Sequence, residues 1–215
     1  MFELFDKEST SSHKVNNYPY DLLWIEKLGI GFLKSDGYSY DKDYWETYLE
    51  YAHSKIGTEL TRQRAEFVTR NGVNFSELCD IGVGSGQFVD TVKCKGMDIN
   101  PYANTWLKEH NYYADRPENF SSLTLWDVIE HIDDPRALLK NTETVFISTP
   151  IYKDLSSCLL SKHFKPREHI WYFTDSGVKY FMEQLGFIVK DESNFETVLG
   201  REGIMSYCFV RTNKE

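Results

Sequence analysis

Glu77-Leu-Cys-Asp-Ile-Gly-Val-Gly-Ser-Gly-Gln-Phe88 joins a short apolar run to a helix-compatible one through a turn that carries Gly82, Gly84 and Gly86. Glycines at a strand-to-helix turn let the backbone come close to a ligand and adopt positive φ. The next apolar run ends in Gly96-Met-Asp-Ile-Asn100, so Asp98 stands at a strand end, where a carboxylate can accept both hydroxyls of a ribose. Strand, glycine turn and strand-end acid together point to a nucleoside-bearing ligand. A dinucleotide fingerprint would need glycine at position 87, which is Gln87, and the Gly-Lys-Ser/Thr of a phosphate loop is absent. A mononucleoside cofactor therefore fits better than a pyrophosphate.

Working outward, short apolar runs at Glu77–Ile81, Cys94–Ile99, Asn111–Ala114, Leu123–Ile129 and Val145–Ser148 alternate with helical stretches, the pattern of buried parallel strands in a βαβαβ order. Asn100-Pro101 and Asp134-Pro135 each put a capping side chain before a proline, a helix start. Thr174 can cap a helix ending at Leu185-Gly186. Phe187–Lys190 and Ile204–Arg211 then read as a closing antiparallel pair. Before the glycine turn, Trp45, Tyr48, Leu49, Ala52 and Ile56 recur at helical spacing behind Asp41 and Asp43, and a second amphipathic stretch runs to Asn71-Gly72. The first dozen residues read as frayed and Tyr18–Tyr40 as irregular.

The chain has 215 residues, room for one α/β domain with an appendage. Its 24 Lys+Arg against 33 Asp+Glu give a net charge of −9, which disfavours nucleic acid or an anionic membrane as the main partner. Without an apolar run of membrane-spanning length or a signal-like start, the expected location is cytoplasmic. Four cysteines without a paired spacing indicate neither a disulfide framework nor a zinc site. Aromatic residues make up 15 % of the chain, enough to wall a pocket as well as fill a core.

LCDIGVGSGQF at 78–88, GMDINP at 96–101, TLWDVIEHIDDP at 124–135, FISTP at 146–150 and HIWYFTDSGVKYFMEQLGF at 169–187 resemble, in order, the motifs of class I S-adenosylmethionine-dependent methyltransferases. The small-molecule branch that includes the ubiquinone-biosynthesis O-methyltransferases is the most similar. The resemblance spans about 77–211. It implies a Rossmann-like doubly wound α/β sheet of seven strands, mostly parallel with a C-terminal antiparallel hairpin. It divides the chain into an N-terminal irregular segment and helical lid at 1–72 and a cofactor domain at 73–215 with an insertion at 151–170. The cofactor would be S-adenosyl-L-methionine and the partner a small-molecule acceptor methylated at oxygen; the oligomeric state stays open. By position, Asp80, Gly82, Gly84 and Gly86 would hold the methionine end, Asp98 the ribose and Ile99 the adenine. Trp126 and Asp127 would stand near the transferring methyl.

The chain departs from the family at 139–145, which lacks the usual KPGG-like turn, and in the short connection after Phe88. His131, just after the fourth strand, is the candidate base for an acceptor hydroxyl, against a capping role for the next helix; His163 and His169 rank lower. Asp127, Glu130 and His131 occupy an ExxEH group that can hold a divalent ion in the ubiquinone branch, but the shorter aspartate argues against assigning a metal. Lys162–Arg167 is a basic run that reads either as a substrate wall or as a solvated loop. Tyr38 and Tyr40 are lid candidates, and Tyr48 reads as core. Two alternatives remain: a nucleic-acid or protein methyltransferase, and a non-catalytic module that keeps the cofactor fold.

Overall fold

The computed structural model describes residues 10–34 and 37–212. Its central sheet has six strands, β4 (Leu78–Ile81), β5 (Lys95–Met97), β6 (Ser122–Trp126), β7 (Thr144–Pro150), β9 (Phe187–Ser193) and β10 (Ile204–Arg211), in the order β5-β4-β6-β7-β10-β9. The first four run parallel and β10 lies antiparallel between β7 and β9. This is the Rossmann-like α/β sheet with its antiparallel hairpin, one strand short of the seven that the resemblance implies. The segment 111–114 forms only a bridge, Gly96 to Tyr113, because the short β5 offers no longer edge to pair with.

Side chains alternate across the sheet, so each face seals its own core. Leu123, Leu125, Ile147, Tyr207 and Phe209 pack on one side, and Leu78, Phe146 and Cys208 on the other. The second face is covered by α2 (Lys55–Arg70), α3 (Gln87–Val92) and α4 (Pro101–Glu109), through Leu60, Phe67, Val89 and Leu107. Asn100 caps α4 through the Tyr102 N–H with Pro101 in the first turn, and Thr174 caps α7 (Asp175–Gln184) through the Gly177 N–H, as their sequences require.

Of the stretch 18–40 expected to be irregular, Asp21–Ile25 and Ile30–Phe32 are strands, 33–34 and 37–40 carry no regular structure, and 35–36 lie outside the described residues. Residues β1 (Thr10–Lys14), β2 (Asp21–Ile25) and β3 (Ile30–Phe32) form an antiparallel meander that pairs with β8 (Trp171–Phe173), the strand closing the insertion. Thr10 to Ser12, expected to fray, belong to β1; residues 1–9 lie outside the described residues. Period-2 patterning is missing because β3 is buried at every position: Ile30 and Phe32 both enter the main core, and Gly31 between them lies against Trp24 of a smaller core that includes Leu22 and Tyr172. Among the described residues no helix is long and apolar enough to cross a membrane.

Candidate active site

The C-terminal ends of β4, β5 and β6 meet where the strand order reverses, the place where open α/β sheets bind ligands. A cavity of about 290 Å³ opens there. It is lined by Asp80, Gly82, Gly84, Asp98, Ile99, Trp126, Asp127 and His131, eight of the nine residues singled out from the sequence. The ninth, Gly86, begins α3 at φ 77°. Its position leaves no room for a side chain, since a Cβ would stand 2.3 Å from the Trp106 ring.

The glycine turn is tied to the acid at the end of β5. The Gly84 N–H donates to Asp98 Oδ2 at 3.1 Å and the Asn100 N–H to Oδ1 at 2.8 Å. Burial holds the Asp98 carboxyl above its usual range despite these donors. Beneath the turn, Asp80 is buried and accepts the Thr124 hydroxyl at 2.6 Å; burial pushes its pKa up to about 7. Beside Asp98, Ile99 keeps 72 % of its surface exposed while lining the cavity.

The roof is α1 (Lys42–Ala52), capped by the Asp41 side chain. Trp45 Nε1 donates to the Gly84 carbonyl at 3.0 Å, and Gln87 Nε2 to the Ala52 carbonyl at 2.7 Å. Tyr38, Tyr40 and Tyr44 meet edge to face, and Tyr48 lies against Tyr44 with hydroxyls 3.0 Å apart. Tyr48 is not core: it faces the cavity above Gly84 and is 39 % exposed, since the helix packs on the turn rather than on the sheet.

On the opposite wall, His131 Nδ1 lies 3.0 Å from the Glu168 carbonyl oxygen. A carbonyl only accepts, so Nδ1 carries the proton and Nε2 keeps a lone pair. Burial lowers the His131 pKa, which leaves the ring neutral at pH 7. His169, ranked low from the sequence because it sits in the insertion, stacks edge-on against His131 at 4.7 Å between centroids. Ligand atoms of Glu130, His131 and His169 lie within 4.8 Å of one another, and Glu130 Oε2 and His169 Nδ1 are buried without a hydrogen-bond partner. Burial and the Asp127 charge push Glu130 up to about 8, and burial lowers His169 to about 2.

Asp127 does not join that trio. Its backbone sits at φ 58° after β6, and its Oδ2 accepts from Arg64 Nη2 at 3.0 Å and from Arg201 Nη2 at 2.9 Å. Burial alone would raise its pKa, but Arg201 and Arg64 hold it down to about 2. Both arginines also pair with the fully buried Glu196, and Arg64 lies over the Trp126 ring at 4.9 Å. Sequence reasoning missed this quartet, because Arg64, Asp127 and the Glu196–Arg201 stretch come from three separate segments with no common motif.

The fold has close parallels. Magnesium protoporphyrin IX methyltransferase from Synechocystis, solved with bound SAH, superposes with TM-score 0.50 at 13 % identity over 83 % of this chain and 90 % of its own. The methyltransferase in complex with the Trm112 activator of Haloferax volcanii gives TM-score 0.56 at 12 % identity over 81 % and 98 %. The glycopeptide N-methyltransferase MtfA with S-adenosylhomocysteine gives 0.51 at 12 % over 71 % and 90 %. No curated protein matches the sequence. The family described as "Methyltransferase domain" matches residues 48–191, a span that takes in the last turn of the roof helix, the glycine turn, Asp98, His131 and the start of β9. The chain belongs to the methyltransferase-domain family.

Proposed function

We propose that this protein, working in the cytoplasm, transfers the methyl group of S-adenosyl-L-methionine to an oxygen atom of a small-molecule acceptor, as the ubiquinone-branch enzymes it resembles do. The observation that carries the reading is Ile99, a large apolar side chain left 72 % exposed on the cavity wall beside the Asp98 carboxylate and the glycine turn. An adenine ring would cover it and a ribose would meet Asp98. Gly82 and Gly84 bring the turn's backbone to the cavity wall for the methionine end, Gly86 lets the turn close against Trp106, and the buried Asp80 would gain a cationic partner from the cofactor's ammonium group. Trp126 closes the far side.

A sulfonium methyl is already an activated electrophile, so the protein has mainly to align the acceptor with it and exclude water. The tyrosine-lined roof supports that exclusion. His131 supplies a neutral ring whose Nδ1 is fixed by the Glu168 carbonyl, leaving Nε2 to take the acceptor's hydroxyl proton.

A second reading, for the buried cluster behind His131, is favoured by the two unpartnered buried atoms, Glu130 Oε2 and His169 Nδ1. With His131 they fit a divalent cation, in a set different from the Asp127, Glu130 and His131 group to which the sequence assigned no metal. A cation there would acidify a bound hydroxyl and supersede His131 as base.

One thermal-melt series tests both readings. S-adenosylhomocysteine should raise the melting temperature by mass action while NAD and ATP do not. Equal stabilisation by NAD would overturn the cofactor. A further rise with Mg²⁺ or Mn²⁺, reversed by chelator and absent in Glu130→Gln, supports the cation; its absence leaves His131 as the base.

A further inference from the structure

Tyr48, in α1, stands over the junction of the two features that would grip the cofactor. A Cβ added to Gly84 would lie 3.2 Å from its Cδ1 and 3.7 Å from its Cε1, so the ring is packed directly on the glycine turn. The Gly84 N–H in turn donates to Asp98 Oδ2 at 3.1 Å. The ring thus overlies the point where a methionine end held by the turn meets a ribose held by Asp98. In S-adenosylmethionine a single atom joins those two parts, the sulfonium sulfur, and it also carries the methyl group.

The ring is braced without being buried. Its hydroxyl pairs with that of Tyr44 at 3.0 Å, and Tyr44 lies against one side of it with centroids 4.9 Å apart. Tyr44 is itself met edge to face by Tyr40 at 4.9 Å and by Tyr38 at 5.8 Å. Tyr48 nevertheless lines the cavity and stays 39 % exposed. With its hydroxyl engaged by Tyr44, the ring itself is the part left to meet a ligand.

The charges nearby do not select a cation at this point. Asp127 acts electrostatically on Tyr48, and Lys165 and Arg201 act on it with the opposite sign. Arg201 is also paired directly with Asp127 at 2.9 Å. Of the other cavity carboxylates, Asp98 already holds the Gly84 and Asn100 N–H groups, and Asp80 holds the Thr124 hydroxyl. What remains to favour positive charge beside Gly84 is the negative face of an aromatic ring, which attracts a cation within about 6 Å of its centroid.

We propose that the ring of Tyr48 binds the sulfonium of S-adenosylmethionine through a cation–π contact and so distinguishes the methyl donor from its demethylated product. This rests on the methyltransferase reading and adds to it the residue that tells donor from product. When the methyl passes to the acceptor oxygen, the S–methyl bonding pair stays on sulfur, the sulfonium becomes a neutral thioether, and the acceptor's proton goes to a base. Tyr48 therefore holds the donor and loosens its hold on the product.

The test is calorimetric titration of S-adenosylmethionine and of S-adenosylhomocysteine into Tyr48→Phe and into proteins with mono-, di- and trifluorinated phenylalanine at position 48. Fluorine drains the negative face of the ring at nearly constant size. Relative to Tyr48→Phe, donor affinity should fall stepwise with fluorination, by about fivefold over the series, while product affinity stays within about twofold. Donor affinity that ignores fluorine, or that falls in step with product affinity, overturns the proposal and leaves Tyr48 as a brace for the roof. Failure of the methyltransferase reading is distinguishable, because neither ligand would then bind the wild-type protein.

Discussion

Asp80 carries the largest conflict between stability and use. It has one hydrogen bond, from Thr124, and its pKa rises from 3.8 to about 7 on burial. Because the folded-state pKa lies above the unfolded one, the folded chain keeps a proton that the unfolded chain releases between about pH 4 and 7. Stability falls through that window, and the loss is complete above it. Asp80→Asn should therefore raise the unfolding free energy at pH 8 by roughly 2–4 kcal/mol and change it little at pH 4, measured by urea denaturation at both. An equal effect at both pH values would mean that the carboxylate is not strained. The same variant should lose affinity for S-adenosylhomocysteine, since the charge that destabilises the empty site would be balanced by the ligand's ammonium group.

At the scale of elements, the roof depends on a few polar contacts. The α1 helix has one buried residue, Ala52, so little apolar burial fastens it. Trp45 Nε1 to the Gly84 carbonyl and Asn100 Nδ2 to the Asp41 carbonyl, at 3.1 Å, are what seat it on the glycine turn and α4. Cofactor binding beneath it should slow amide exchange across Lys42–Ala52, and Trp45→Phe should remove much of that protection while weakening S-adenosylhomocysteine by about fivefold. Exchange in this helix that is indifferent to ligand would count against a lid. The helix itself was legible, since its cap and spacing are local; that Tyr48 points into the cavity was not, because helical spacing alone does not say whether the neighbour is a sheet or a ligand.

Over the whole molecule, the N-terminal meander, paired with β8 and sharing the main core, also meets α7 at a crowded backbone contact. A Cβ on Gly177, in α7, would lie 2.2 Å from the Gly29 carbonyl oxygen, which itself accepts the Thr174 N–H at 2.8 Å. Backbone cannot retreat cheaply from such a contact, so Gly177→Ala should cost about 2 kcal/mol or more and lower the melting temperature by several degrees. S-adenosylhomocysteine affinity of the folded protein should stay the same, the contact being remote from the cavity. An unchanged melting temperature would show that the meander yields there.

The parallel strands, the glycine turn, Asp98, Ile99 and the capped helices were determined by local sequence: strand burial, turn chemistry and capping act within a few residues, so their signals are contiguous. The antiparallel closure at β9 and β10 was legible for the same reason. Only the tertiary structure decided the rest. The strands β1 to β3 form because β8, some 140 positions later, supplies the partner of β3, on which the other two build, and the main core buries Ile30 and Phe32. Asp127 was read beside Glu130 and His131 because they are near in sequence, yet its partners are Arg64 and Arg201, and His169 takes the vacated place. Ion pairs and ligand sets are chosen by distance in space, and no spacing in the chain encodes a contact between residues 64, 127, 196 and 201.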